Sequence, residues 1–198
     1  MTPPLRQATL ERSTRETQIT ASLTLDGSGR TRISTGMPFM DHMLELLARH
    51  ALIDLTLDAR GDLEVDYHHT VEDVGLVLGS ALDQALGDRK GIARYGFWLL
   101  PMDESLSEVA LDLGGRPFLV YQIANRKRRI RDFDVSLIEE FFRAFTVQAR
   151  MNLHIAHRYG SDLHHAYESV FKAVARALRT AMTFDARETG VPSSKGVL

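Results

Sequence analysis

The stretches "DYHHTVED" (66–73) and "DLHHAYES" (162–169) each hold two adjacent histidines, then two residues, then a glutamate. The second starts 96 residues after the first, in a chain of 198, and the two pairs take four of its eight histidines. A pattern written twice, half a chain apart, predicts an internal duplication. Downstream of each pair the apolar residues keep helical spacing. Val71, Val74, Leu78, Ala81, Leu82 and Ala85 follow the first pair; Tyr167, Val170, Phe171, Val174, Leu178 and Ala181 follow the second. Superposing the pairs sets Val74 over Val170, Leu78 over Val174 and Leu82 over Leu178. A two-residue loop gap then sets His42 over Glu140. Each pair therefore heads a helix. Gly75 and Gly79 share the apolar face of the first helix and read as close packing against a sheet.

Residues 8–34 alternate as strands do, with Ile19, Ala21, Leu23 and Leu25 on one face. Asp26-Gly27-Ser28-Gly29 reads as a hairpin turn into "RTRIST". Pro38 can open a helix that runs to about His50, since its missing N–H is not needed in a first turn. "LIDLTLDARG" and "LEVDY" read as short strands. After the polar seam "GDRKGIARYG" (87–96) the pattern restarts. "SEVALDL" and "PFLVYQI" are strands about Gly114-Gly115-Arg116-Pro117. Ser136 with Glu139 resembles a capping box before a helix striped by Leu137, Ile138, Phe141, Phe145 and Ala149. "NLHIAH" is a further strand. The expected fold is α+β, two pseudo-symmetric β-β-α-β-α halves, each a sheet with helices on one face. The halves span 1–90 and 91–183, and 184–198 is a C-terminal tail.

The totals exclude several classes. A net charge of −2 gives no overall pull toward nucleic acid or membrane. The absence of cysteine removes disulfides, thiolate chemistry and cysteine zinc sites, and fits a reducing cytoplasm. "MTPPLRQATLERSTRETQ" has no apolar segment of the secretory type. No apolar run nears the ~20 residues of a membrane span. "NRKRRIR" (125–131) is the one basic run; lacking interleaved aromatics, it reads as a solvated loop or subunit contact rather than a nucleic-acid site.

On a helix, Glu72 lies near both His68 and His69, while the two histidines diverge by about 100°. They suit two different ions better than one. His164, His165 and Glu168 repeat the geometry. Two such helices facing each other would share two metals, each ion taking a histidine from one motif and a histidine plus a glutamate from the other. His42 and Glu140 would add a ligand each. Such nitrogen and oxygen donors suit Mn²⁺, Fe²⁺ or Co²⁺, with Zn²⁺ also compatible. The competing structural reading is that these polar residues satisfy backbone groups at helix starts.

"GMPFMDHMLELLARH", "DYHHTVEDVGLVLGSAL", "HHAYESVFKAVARALR" and "PSSKGVL", in this order, resemble the imidazoleglycerol-phosphate dehydratases of histidine biosynthesis, over nearly the whole chain. The resemblance implies a duplicated α+β half, two Mn²⁺ ions, and a cage of twenty-four subunits with active sites at their interfaces. It implies His42, His68, His69, Glu72, His164, His165 and Glu168 as metal ligands. Glu140 stands where many members have histidine; a carboxylate can also bind Mn²⁺. The implied reaction dehydrates imidazole glycerol phosphate to imidazole acetol phosphate. Its catalytic groups would be Glu16, His42, His69, Glu72, His165 and Glu168. His50, Arg94, Arg116, Lys172, Ser193, Ser194 and Lys195 match substrate contacts, so the tail would belong to the substrate site. Read on residue type alone, Glu16 is an exposed strand glutamate, Arg94 and Lys172 are surface cations, and "PSSKG" is a frayed terminus.

Two rival classes remain. A dinuclear hydrolase of phosphate esters would also use two metals, though nothing here marks an Asp-rich site. A di-iron storage protein expects Glu-x-x-His on a four-helix bundle; this chain alternates strands with helices and reverses that order.

Overall fold

The computed structural model describes residues 5–124 and 129–196. In the first half, strands β1 (Gln7–Ser13), β2 (Thr17–Thr24) and β3 (Thr31–Ser34) precede helix α1 (Pro38–Ala51). Strand β4 (Asp54–Gly61) and helix α2 (His68–Leu86) complete it. The second half brings β5 (Tyr95–Met102), β6 (Ser105–Asp112), β7 (Phe118–Gln122) and a short hairpin, β8 (Arg129–Ile130) with β9 (Phe133–Asp134). Helix α3 (Leu137–Gln148), β10 (Asn152–Tyr159) and α4 (Leu163–Met182) follow. The α+β duplication therefore stands, with one more strand at the start of each half than the sequence pattern separates. Among the described residues no helix is long and apolar enough to cross a membrane.

The sheets have matching orders, β1-β2-β4-β3 and β5-β6-β10-β7. In each, the strand after the first helix inserts between the second and third strands, antiparallel to one and parallel to the other. The loop at 26–29 is therefore a crossover and not the expected hairpin turn. Asp54, the first residue of β4, organises it. Its carboxylate accepts the backbone N–H groups of Ser28 (2.8 Å) and Arg30 (3.0 Å) and the Arg30 guanidinium (2.6 and 3.0 Å). The same holds at 114–117, where β10 separates β6 from β7. "LEVDY" is not a strand: Val65 donates its N–H back to Asp62 in a turn and its side chain faces solvent. Ser136 forms no capping bond to its helix; its hydroxyl turns back to Asp134. Of the basic run 125–131, residues 125–128 lie outside the described residues.

All four helices lie between the sheets. α2 packs on β1 and β2, and α4 on β5 and β6. Across the middle, α1 meets α4 and α2 meets α3. One apolar cluster runs through both halves, from Ala8 to Met182, with Phe141, Phe142 and Phe171 fully buried at its centre. Gly75 and Gly79 do serve close packing, but against helix α3 rather than a sheet. A Cβ at 79 would stand 2.5 Å from the Phe145 carbonyl oxygen, and one at 75 would stand 2.6 Å from that of Phe141. Gly79→Ala is therefore expected to destabilise by about 1–3 kcal/mol despite alanine's better helix propensity. A thermal melt checks this; an unchanged or higher Tm contradicts it.

Candidate metal centre

Both histidine pairs open helices at the positions expected. His68 and His69 are the first two residues of α2, and His164 and His165 lie in the first turn of α4. Asp162 caps α4, its side chain accepting the His165 N–H at 3.0 Å. An aromatic chain links the two helix starts. The His164 ring meets Phe39 (5.7 Å between centroids), Phe39 meets Phe133 (5.4 Å), and Phe133 meets Tyr67 (6.1 Å), the neighbour of His68.

Three ligand-type side chains converge: His42 from α1 with His164 and Glu168 from α4, their donor atoms all within 4.8 Å of one another. Glu168 Oε2 lies 3.0 Å from His164 Nε2 and 3.6 Å from His42 Nε2. Its other oxygen takes the Lys172 ammonium at 2.6 Å. Burial alone would raise the Glu168 carboxyl, but Lys172, His42 and His164 outweigh it and hold the pKa below its usual range. The side chain is thus anionic, 11% exposed, and presents one oxygen beside two imidazole nitrogens. Two nitrogens and a carboxylate oxygen at this spacing fit a hard or borderline divalent cation with positions left for further ligands.

The first motif repeats part of this. His68 Nε2 lies 3.7 Å from Glu72 Oε2, the same i,i+4 pairing as His164 with Glu168. Glu140 sits on α3, as His42 sits on α1, and its carboxylate meets Arg143 at 3.4 Å. Helices α2 and α4 each pack on the first helix of the other half. The two motifs are therefore not set face to face within one chain, as a site shared inside one chain would need.

The second histidine of each pair has its own carboxylate. His69 Nδ1 lies 3.0 Å from Asp62 Oδ2 and 3.8 Å from Glu16. His165 Nδ1 lies 2.8 Å from Glu104 Oε2. Hydrogen bonding to Asp62 and to Glu104 raises the pKa of the respective imidazole. The bond to His165, with the backbone N–H groups of Asp162 and Ser161 in the loop that precedes α4, holds Glu104 down to about 2. Asp62 and Glu104 were not singled out from the sequence. Glu104 was findable, because it stands at the same point of the β5–β6 turn as Glu16 in the β1–β2 turn.

The expected substrate contacts divide into two groups. Arg94 is committed: its guanidinium grips Asp112 (2.6 and 3.0 Å) and the Pro192 carbonyl (2.6 Å), which fastens the tail to the sheet. Lys172 is committed to Glu168. Arg116, Ser194 and Lys195 are exposed, and Ser193 is half-buried. His50 lies on α1; burial first, then the Lys172, Arg176 and Arg49 cations, push its pKa down, so the ring is neutral at pH 7.

A family model described as imidazoleglycerol-phosphate dehydratase matches residues 35–178. A protein of that name from Geobacter metallireducens is 54% identical over 193 residues, covering 98% of this chain and 99% of its own. One from Syntrophobacter fumaroxidans is 53% identical over 193 residues, covering 98% of each chain. The crystal structure of the Staphylococcus aureus dehydratase superposes with a TM-score of 0.82 at 37% identity, covering 90% of this chain and 99% of that one. That of Pyrococcus furiosus, in complex with (S)-C348, gives 0.82 at 34% identity over 96% and 100%.

Proposed function

Because this chain belongs to the imidazoleglycerol-phosphate dehydratase family, we propose that it dehydrates imidazole glycerol phosphate to imidazole acetol phosphate in histidine biosynthesis, using two Mn²⁺ ions. The observation that carries the metal reading is the convergence of His42, His164 and Glu168 on one point. These three would hold one ion. His68 and Glu72, with Glu140, are the repeat-related candidates for the other. His69 and His165 would complete the sites of neighbouring copies.

When bound, the cations supply Lewis acidity that favours a deprotonated substrate imidazole, whose electrons can then expel the neighbouring hydroxyl. The chain's own groups do the rest. Glu16 is 55% exposed, beside His69, and is free to take the carbon-bound proton at a carboxylate oxygen. Arg116 and Lys195, exposed and without an ion pair among the described residues, are the cations for the phosphate, with Ser193 and Ser194 as hydroxyl donors. Arg94 holds the tail that carries three of these four. Neutral His50, on α1 near Lys172, would line the substrate site.

Assembly into a homo-oligomer, twenty-four subunits in our reading, is supported by an asymmetry between the sheets. The outer face of the first sheet is polar; one cross-strand row reads Thr9, Ser22, Thr56, Arg32. The matching face of the second exposes Tyr95, Phe97 and Leu99 on β5 and Phe118 on β7, with Phe97, Ala110, His154 and Val120 in one row. Apolar rings at this density mark a surface that another protein surface covers. The cysteine-free composition fits a reducing cytoplasm.

The test is one reaction mixture assayed for imidazole acetol phosphate and for free phosphate. Ketone without phosphate, abolished by chelator and restored by Mn²⁺, is the expected result. Free phosphate without ketone supports a phosphate-ester hydrolase instead, and activity indifferent to chelator removes the metal. Glu16→Gln should lower kcat about 10²–10³-fold, in the range of a positioned proton-transfer group. Its Mn²⁺ content should be unchanged, and loss of metal along with turnover would give Glu16 a different role.

A further inference from the structure

The two halves place a glutamate at the same point of equivalent hairpins. Glu16 immediately precedes the first residue of β2, and Glu104 the first residue of β6. Each lies beside the second histidine of its half's pair, but the contacts differ. Glu16 stands 3.8 Å from His69 Nδ1, because Asp62 takes that nitrogen at 3.0 Å. The second oxygen of Asp62 is buried with no partner, so the bond to His69 is what its carboxylate does. Glu104 has no such substitute. Its Oε2 takes His165 Nδ1 at 2.8 Å, while Oε1 accepts the backbone N–H groups of Ser161 (3.1 Å) and Asp162 (2.8 Å). Three bonds from the loop and helix that carry His165 fix this carboxylate.

We infer that Glu104 is a positioning residue that locks the His165 ring through Nδ1 and so leaves Nε2 as the nitrogen that binds a cation. Its repeat-related partner Glu16, relieved of that task by Asp62, is left free for the substrate. A ring that donates Nδ1–H to a carboxylate has its lone pair on Nε2 and one fixed orientation, the arrangement that raises a histidine's strength as a metal ligand. Duplicated turns have thus diverged, one carboxylate holding a ligand and the other facing open space. The inference rests on the reading of His165 as a metal ligand.

The test is Mn²⁺ titration of metal-stripped protein, followed by the electron paramagnetic resonance signal of free Mn²⁺. Glu104→Ala should raise the Kd of one class of site about 10–100-fold, as loss of such outer partners does. Glu104→Gln must share one carbonyl oxygen between the ring and the loop, and should fall between that variant and the unsubstituted protein. It also decides the matter if the alanine variant does not fold. In a His165→Ala background, Glu104→Ala should cost less than about threefold further, because coupled residues are not additive. Full additivity would mean that Glu104 serves only the loop and overturns the proposal, as would an unchanged Kd in Glu104→Gln and Glu104→Ala alone. If the unsubstituted protein binds no Mn²⁺, the metal reading itself falls and this proposal with it.

Discussion

His164→Ala is expected to lower kcat on the order of 10⁴-fold and to reduce bound Mn²⁺ from two ions per chain toward one. Lewis-acid stabilisation supplies several kcal/mol of the barrier reduction, and each 1.36 kcal/mol is a factor of ten. His164 is the nearer of the two imidazoles to Glu168, at 3.0 Å against 3.6 Å for His42, and its ring lies 5.7 Å from that of His42. Without it, Glu168 keeps Lys172 as its near partner, and the carboxylate that should face a cation becomes half of an ordinary ion pair. The side chain is 43% exposed, so little packing is lost and the metal-free protein should melt nearly as before. Activity is measured with saturating Mn²⁺ and metal by elemental analysis. Full turnover with two ions per chain would remove His164 from the site.

Arg89→Ala should be the most damaging of these substitutions for stability, by about 3–5 kcal/mol, the usual cost of breaking one side of a buried charged pair. Arg89 is only 4% exposed. Its guanidinium pairs with Asp83 at the end of α2 and donates to the carbonyls of Leu113 (2.8 Å), Ala149 (2.9 Å) and Arg150 (3.1 Å). These atoms come from the last turn of α2, the end of β6 and the end of α3, so one side chain stitches the two halves together. Removal leaves a carboxylate and three carbonyls without this donor. At about 2–4 °C per kcal/mol for a chain of this size, Tm of the metal-free protein should fall roughly 6–20 °C. Arg89→Lys, which keeps the charge but not the planar fork, should fall between. A melt within 2 °C of the original, on about the same scale, would deny the stitch.

Arg89 also marks where sequence reading stops. "GDRKGIARYG" is polar and glycine-containing, and reads as a seam; the buried partners that make it a fastening come from residues 24 to 61 positions away. The histidine pairs were legible because the duplication writes them twice at helix starts, where residue type and spacing suffice. Helices α2, α3 and α4 were legible from their apolar stripes, and α1 from the proline that opens it. The strand order was not, since insertion of β4 between β2 and β3 is a non-local pairing with no local signature. β5 was obscured because Phe97 and Leu99 face outward while Trp98 and Leu100 pack inward, so apolar residues fall on both faces without alternation, and Gly96 faces inward against α4. Gly75 and Gly79 announced a close approach without naming the partner. Likewise, residue type presents Arg94 as a surface cation and the family pattern as a phosphate contact; the fold gives it Asp112 and the tail.

The most direct measurement is anomalous diffraction at the manganese edge from crystals grown with Mn²⁺. The account predicts two peaks per chain, one of them bounded by His42, His164 and Glu168, with His69 and His165 of neighbouring copies turned toward the ions. Crystals in which manganese is absent from these imidazoles, while the protein still makes the ketone, would contradict it.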